Sequence, residues 1–135
     1  IDVAFVASDG LSATAVQRHV TPLLRALRPL LDELVVAPII IATQARVALA
    51  DEVGEALAAR LVVSLIGERP GLSSPDSLGA YVTYKPCVGL TDAARNCISN
   101  IRPQGLGYAD AAAQLAALIH VALAAQQSGI GLSLS

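Results

Sequence analysis

The chain has 135 residues, of which 54% are hydrophobic, 15% are charged and only 3% are aromatic. This composition is typical of a single folded domain with an aliphatic core, and it excludes a disordered tail or a charged coiled coil. Nine basic and eleven acidic residues give a net charge of −2, so the chain lacks the basic field that would bind a nucleic acid backbone.

The first 31 residues predict a strand followed by a helix. Residues 2–8 form a short apolar run that reads as a buried strand, closed by a turn at residues 9 and 10. Ser12 can cap the helix, whose apolar residues recur at helical spacing. Pro22 and Pro29 are expected to kink or end it.

The next segment predicts two further strands around a second helix. Residues 35–43 are apolar on both faces, which suits a parallel strand that is covered on two sides. Asp51 and Glu52 place acids at the positive end of a helix dipole, so a short helix is expected from there to about residue 60. Residues 61–67 form the third apolar strand.

The remainder of the chain predicts a strand at 79–84, a long alanine-rich helix at 108–127 and a final strand at 130–134. The stretches 68–77 and 85–107 read as long polar loops, which in compact domains are usually functional or interfacial. The alternation of strands and helices predicts an α/β fold. We expect a three-layer, open, mostly parallel sheet with helices on both faces, in one domain over residues 1–135.

Neither a membrane span nor a disulfide framework is predicted. The longest apolar run, residues 34–42, is interrupted by Pro38 and falls short of the roughly 20 residues that a bilayer requires. Cys87 and Cys97 are expected to be free thiols in a reducing compartment, which indicates a cytoplasmic location. The chain begins without Met and without the basic start of a signal peptide, as expected of a domain excised from a longer protein.

Ligands of open α/β sheets bind at the carboxyl ends of the strands, and three polar segments are expected there. Residues 8–12 can place Asp9 and Ser12 on a ligand, or form a tight turn with Ser12 as helix cap. Glu68 leaves an apolar strand and needs donors, either from a ligand or from an arginine of this chain. Residues 95–103 alternate polar groups with isoleucines, which favours a loop packed against something over a bare surface loop.

Several familiar chemistries are excluded by spacing. Residues 105–110 mimic a dinucleotide-binding fingerprint but follow no predicted strand and carry Asp in place of the third glycine. Two histidines and two cysteines at unrelated spacings do not form a metal site. A small serine hydrolase using Ser12, Asp9 and one of the histidines, His19 or His120, is kept as an alternative function. A non-catalytic protein-interaction domain is a further alternative.

Four strings of the sequence carry a resemblance: SDGLS at 8–12, RVALADEVGE at 46–55, GERPGL at 67–72 with SL at 77–78, and CISNI at 97–101. In order and spacing they closely resemble the small (light) subunit of ethanolamine ammonia-lyase, over essentially all 135 residues. The resemblance corresponds to the C-terminal, Rossmann-like domain of that subunit. The family's N-terminal region, which includes a small helical domain, is absent from this chain.

The resemblance implies an adenosylcobalamin-dependent carbon–nitrogen lyase that converts ethanolamine to acetaldehyde and ammonia. It places the radical chemistry on the cofactor and on the large subunit, a (β/α)8 barrel that is the expected partner in a hetero-oligomer. No catalytic residue and no metal ligand are then expected in this chain. The expected location is the cytoplasm, within a bacterial microcompartment in many such systems.

The resemblance also assigns cobalamin contacts to Val47, Glu68 and Cys97. The corrin ring is rimmed by amide side chains, so Glu68 can accept a hydrogen bond from an amide while a backbone group at Val47 holds another. Cys97 offers a small, polarizable contact and a weak donor. The implied role is one wall of a cofactor site that the large subunit completes.

Overall fold

The computed structural model describes residues 1–9, 12–43, 47–68 and 76–132. Within these ranges the chain forms five strands and three α-helices, in the order β1 (Val3–Ser8), α1 (Ala13–Leu27), β2 (Ile40–Ala42), α2 (Val47–Ala56), β3 (Leu61–Glu68), β4 (Ser77–Tyr84), β5 (Arg95–Ile101) and α3 (Tyr108–Ala125). Two short 3₁₀ helices, Arg28–Leu31 and Asp92–Ala94, follow α1 and precede β5.

The strands form one open sheet in the order β2-β1-β3-β4-β5. β1 pairs in parallel with both β2 and β3, whereas β4 pairs antiparallel with both β3 and β5. Four strands therefore point in one direction, and only β4 is reversed. The predicted α/β class with an open sheet is confirmed, and the sheet is mixed, with two parallel and two antiparallel strand pairs.

One face of the sheet is covered by α1 and α3. Side chains of a strand point alternately to the two faces of its sheet. The residues of β1, β3 and β4 that face α1 and α3 join the large hydrophobic core, whose fully buried members include Val3, Leu23, Leu27, Leu61, Leu65, Leu78, Leu115 and Ile119. Aliphatic packing thus supplies this core, as the scarcity of aromatic residues requires.

The opposite face carries only α2. Ala50 of α2 packs with Ala4 and Val6 of β1 and with Val62 of β3 in a second, smaller core cluster. α2 packs mainly on β1 and β3. On the same face, Ser77 and Thr83 of β4 are buried, whereas Cys97 of β5 is exposed.

A buried ion pair joins α2 to β5 across this face. Arg95 Nη1 donates to Asp51 Oδ1 at 2.7 Å, and the two side chains are only 4% and 2% exposed. The same guanidinium donates to the carbonyl of Leu90 and to Oδ1 of Asp92. Burial alone would lower the pKa of Arg95, but the hydrogen bond and charge of Asp51, followed by those of Asp92, outweigh it and raise that pKa.

Four predicted elements are confirmed with small shifts in their ends: β1, α1, β3 and α3. Ser12 caps α1 as expected, since its side chain accepts a hydrogen bond from the backbone N–H of Ala15. Pro22 lies inside α1 without ending it, and Pro29 lies in the 3₁₀ turn that follows. The strand expected at 79–84 is also present, as β4.

Other expectations were wrong. The second strand covers Ile40–Ala42 and not 35–43, because it lies at the sheet edge, where Ile41 is 71% exposed. α2 begins at Val47, so Asp51 is not at its positive end but is buried against Arg95. The stretch 85–107 is not one loop, since it contains β5. Of the expected final strand, residues 130–132 form a turn, and the rest lies outside the described residues.

α3 is long and apolar enough to cross a membrane by length and composition, with a mean hydropathy of 1.4. The core helix of a soluble protein can pass the same test. Its buried residues, among them Leu115, Ile119 and Ala122, pack in the large core. Its apolar character is therefore explained by packing within the fold.

We expect Arg95→Ala to lower the free energy of unfolding by about 3–5 kcal/mol, because Asp51 would remain buried without its partner. Chemical denaturation of the purified protein measures this change. Arg60→Ala is the matched control: Arg60 pairs with Asp2 at 3.2 Å, but its side chain is 48% exposed. We expect that control to cost at most about 1 kcal/mol. Equal losses in both variants would contradict the role assigned to Arg95.

Candidate functional site

Glu68 is the last residue of β3, at the carboxyl edge of the sheet. Its Oε1 accepts hydrogen bonds from the Ser77 hydroxyl at 2.6 Å and from the backbone N–H of Asn100 at 3.0 Å. The donors within the described part of the chain are thus neutral groups of β4 and β5. An arginine partner is not seen there, and Arg69 lies outside the described residues.

The second carboxylate oxygen of Glu68 lies over a glycine. A Cβ added at Gly79 would be 3.2 Å from Oε2 of Glu68 and 3.4 Å from the ring of Tyr81. The missing side chain therefore leaves the space that the Glu68 carboxylate itself occupies, and Gly79 is buried beneath it. Among the described residues, Oε2 has no hydrogen-bond donor.

Cys97 lies on the neighbouring strand and faces the same side. It is opposite Tyr81 in the β4–β5 register, and directly opposed residues of a strand pair share a face. Two residues earlier on β4 is Gly79, so all of these positions line one surface. We call this surface, made of Glu68, Gly79, Tyr81 and Cys97, the α2-side surface.

Val47 is the first residue of α2, the helix that packs on the same face. It is half-buried, and the segment 44–46 before it lies outside the described residues. The structure therefore places Glu68 and Cys97 together on the α2-side surface and puts Val47 on the helix that packs beside it. Cys97 is exposed, as a direct ligand contact requires.

At the α2-side surface, the Tyr81 phenol and the Cys97 thiol are neutral donors beside the Glu68 carboxylate. Burial, followed by the influence of Cys97, raises the pKa of Tyr81 to about 12. Burial is also the main reason that the pKa of Cys97 is raised, with a further contribution from the charge of Glu68. At neutral pH the phenol and the thiol are therefore both protonated.

Sequence reasoning missed two members of this surface, Gly79 and Tyr81. Their alternation along β4 was visible, but their position opposite Cys97 depends on a register that only the fold defines. It also missed Ser64, which lies on the same face of β3 and opposite Tyr81. Its buried hydroxyl has no hydrogen-bond partner within the described part of the chain.

The geometry required of a serine hydrolase is not found among the described residues. Ser12 acts as the helix cap, and its backbone N–H donates to the carbonyl of Asp9 in a tight turn. His19 hydrogen-bonds Tyr108 and Asp76, while His120 contacts the carbonyl of Leu30. Of the two interpretations of residues 8–12, the cap at Ser12 is observed, while Gly10, expected in the turn, lies outside the described residues.

The described residues also contain no group of three or more His, Cys, Asp or Glu side chains placed to hold a metal ion. The fingerprint-like segment 105–110 does follow a strand, β5, and opens α3, which corrects one reason for its rejection. Its sixth position is still Asp110 where the fingerprint has a small residue.

Comparison with known proteins identifies relatives along nearly the whole chain. The family model of the ethanolamine ammonia-lyase light chain (EutC) matches residues 1–133. The ethanolamine ammonia-lyase small subunit of Ralstonia nicotianae is 60% identical over 132 residues, which cover 96% of this chain and 49% of that protein. The small subunits of Azotobacter vinelandii and Pseudomonas fluorescens are 59% and 54% identical over 97% and 98% of this chain, again covering 49% of each relative. The chain thus spans about half the length of the curated relatives it matches.

The proximity of Glu68 to Cys97 can be tested by thiol titration. In a Cys87→Ala variant Cys97 is the remaining cysteine, and we expect its rate of alkylation by iodoacetamide to rise with a midpoint above the usual thiol pKa of 9.0. Adding Glu68→Gln should lower that midpoint, because a negative charge near the thiolate is removed. Adding Tyr81→Phe should raise it, because the neighbouring phenol stabilises the thiolate. A midpoint insensitive to Glu68→Gln would contradict this arrangement.

Proposed function

The chain belongs to the ethanolamine ammonia-lyase light chain family, and from this premise we propose that it forms the cobalamin-contacting domain of a small subunit in that enzyme. The proposed reaction converts ethanolamine to acetaldehyde and ammonia. The proposed partner is a large barrel subunit that carries the catalytic groups. The proposed location is the cytoplasm, where a bacterial microcompartment is one setting for such enzymes.

One observation carries the proposal at the level of residues. Val47, Glu68 and Cys97 are far apart in the sequence, yet Glu68 and Cys97 lie on one surface and Val47 begins the helix beside it. The resemblance implies all three as cobalamin contacts. The shared surface of Glu68 and Cys97, with the start of α2 beside it, is consistent with a common ligand.

The chemistry of the α2-side surface fits adenosylcobalamin, which supplies the radical chemistry when bound. The corrin periphery carries amide groups that both donate and accept hydrogen bonds. Oε2 of Glu68 is left to accept from such an amide, since Oε1 is already engaged by Ser77 and Asn100. These two internal donors hold the carboxylate in place before a ligand binds. Binding therefore does not lose the entropy of ordering the Glu68 side chain.

Cys97 and Gly79 contribute to the same contact in different ways. The protonated thiol of Cys97 offers a polarizable surface and a weak donor. Gly79 is buried beneath Glu68 and Tyr81, and its lack of a side chain leaves the space that the Glu68 carboxylate occupies. The role of this chain is then to bind and orient the cofactor and to exclude water from one side.

A partner chain is part of the proposal because the α2-side surface is only one wall. Cys97 is exposed, and α2 covers β1 and β3 rather than β4 and β5. One wall offers too little contact to offset the entropy lost on association. We therefore expect cobalamin to be retained by the complex of both subunits and poorly by the small subunit alone.

Glu68→Ala should weaken cobalamin binding to the reconstituted complex by roughly 1–3 kcal/mol, because the amide that it accepts from would be left without a partner. The measurement is cobalamin retention, detected by its visible absorbance over a range of concentrations. Ser77→Ala tests the internal contact separately: it removes one donor to Oε1 but keeps the carboxylate. We expect it to change the affinity less than Glu68→Ala does.

Glu33→Gln is the matched control for loss of a carboxylate, since Glu33 is exposed and lies between α1 and β2, away from the α2-side surface. We expect its affinity for cobalamin to equal that of the unmodified protein. Unchanged affinity in Glu68→Ala, with normal assembly of the complex, would show that the carboxylate serves only Ser77 and Asn100. Assembly without any cobalamin in the unmodified complex would favour a purely protein-binding domain.

A further inference from the structure

A separate cavity lies where α1, the start of α3 and the connection between β5 and α3 meet. Its volume is about 240 Å³, and the side chains that define its chemistry are Arg18, His19, Asp76, Arg102 and Tyr108. None of these residues belongs to the α2-side surface.

A chain of hydrogen bonds forms the inner wall of this cavity. His19 Nδ1 lies 2.6 Å from the Tyr108 hydroxyl, and its Nε2 lies 3.0 Å from Oδ2 of Asp76. The His19 and Asp76 side chains are only 5% and 7% exposed. Polar groups buried to this extent and fully engaged with one another have fixed positions. The wall is thus preformed, with α1, β4 and α3 held together at one point.

The outer wall carries two arginines with spare donors. Arg18 is 64% exposed, and its one ion-pair contact within the described residues is Nη1 to Oδ1 of Asp76 at 3.4 Å. Arg102 donates from Nε and Nη1 to the neutral side chains of Asn100 and Gln104. Across the described ranges no carboxylate lies within ion-pair distance of Arg102.

The surrounding charge does not neutralise the two guanidinium groups. Asp76 is the single carboxylate in the lining of the cavity, and it is shared between His19 and Arg18. The segments outside the described ranges, residues 10–11, 44–46, 69–75 and 133–135, contain neither Asp nor Glu. Two arginines against one carboxylate leave the cavity with a positive excess.

We infer that this cavity binds a small phosphate-type oxyanion, either inorganic phosphate or a phosphate monoester. Guanidinium groups present paired N–H donors that match the oxygens of such anions. The cavity is smaller than the roughly 300–1,000 Å³ of pockets for drug-sized ligands, which restricts the occupant to a small molecule or group. Burial raises the pKa of Tyr108, so no phenolate opposes the anion at neutral pH.

The test is equilibrium dialysis of radiolabelled inorganic phosphate against the full-length protein that carries this chain. We expect saturable binding with one phosphate per chain, competed by phenyl phosphate at least tenfold more effectively than by acetate. The double variant Arg18→Gln, Arg102→Gln should lower the affinity at least tenfold. Arg25→Gln is the control, because Arg25 is an exposed residue of α1 that does not line the cavity.

Three outcomes would overturn the inference. The first is the absence of saturable phosphate binding to the unmodified protein, and the second is equal binding by the double variant. In the third, the unmodified protein binds no phosphate and the double variant captures the partner subunit more weakly. That result would assign the arginines to a carboxylate of the partner. Circular dichroism of each variant checks its fold. We expect the fold to be retained, because both substituted side chains lie at the surface or near it.

Discussion

The arrangement of the α2-side surface depends on the buried ion pair between Arg95 and Asp51. Asp51 lies about one helical turn after Val47 in α2, and Arg95 lies two residues before Cys97 in β5. Two buried charges are tolerated only when they are paired and their remaining donors are satisfied, and Arg95 meets this condition through Leu90 and Asp92. The pair therefore fixes α2, which begins at Val47, relative to the edge strand that carries Cys97.

The sequence predicted those elements whose residues are buried in an unambiguous pattern. β1 and β3 are continuous apolar runs, and the alanine-rich α3 has helical periodicity over its whole length. β5 was missed because it is an edge strand that contains Asn96, Ser99 and Asn100, so it lacks the apolar alternation of a half-buried strand. The start of α2 was misplaced because Asp51 was read as a residue at the helix end, whereas its partner lies 44 residues away.

The sequence predicted part of the candidate site. The part that it missed depends on contacts between residues that are far apart in the chain. Resemblance supplied Val47, Glu68 and Cys97, but not the neutral donors that hold Glu68 or the glycine beneath its carboxylate. Composition and spacing left a serine hydrolase at Ser12 as an alternative, whereas in the structure Ser12 caps α1. They could not reveal the oxyanion cavity, because Asp76 and Tyr108 reach His19 from 57 and 89 residues away. Such clusters have no local signature in a sequence.

The reversed direction of β4 has a structural consequence of its own. A parallel neighbour must be reached by a crossover connection, usually a helix that is laid over one face of the sheet. An antiparallel neighbour needs no crossover, and β4 and β5 follow β3 without an intervening α-helix in the described chain. Turning one strand around thus leaves β4 and β5 without a crossover helix between them in the described chain, and β5 forms an edge of the sheet that carries the exposed Cys97.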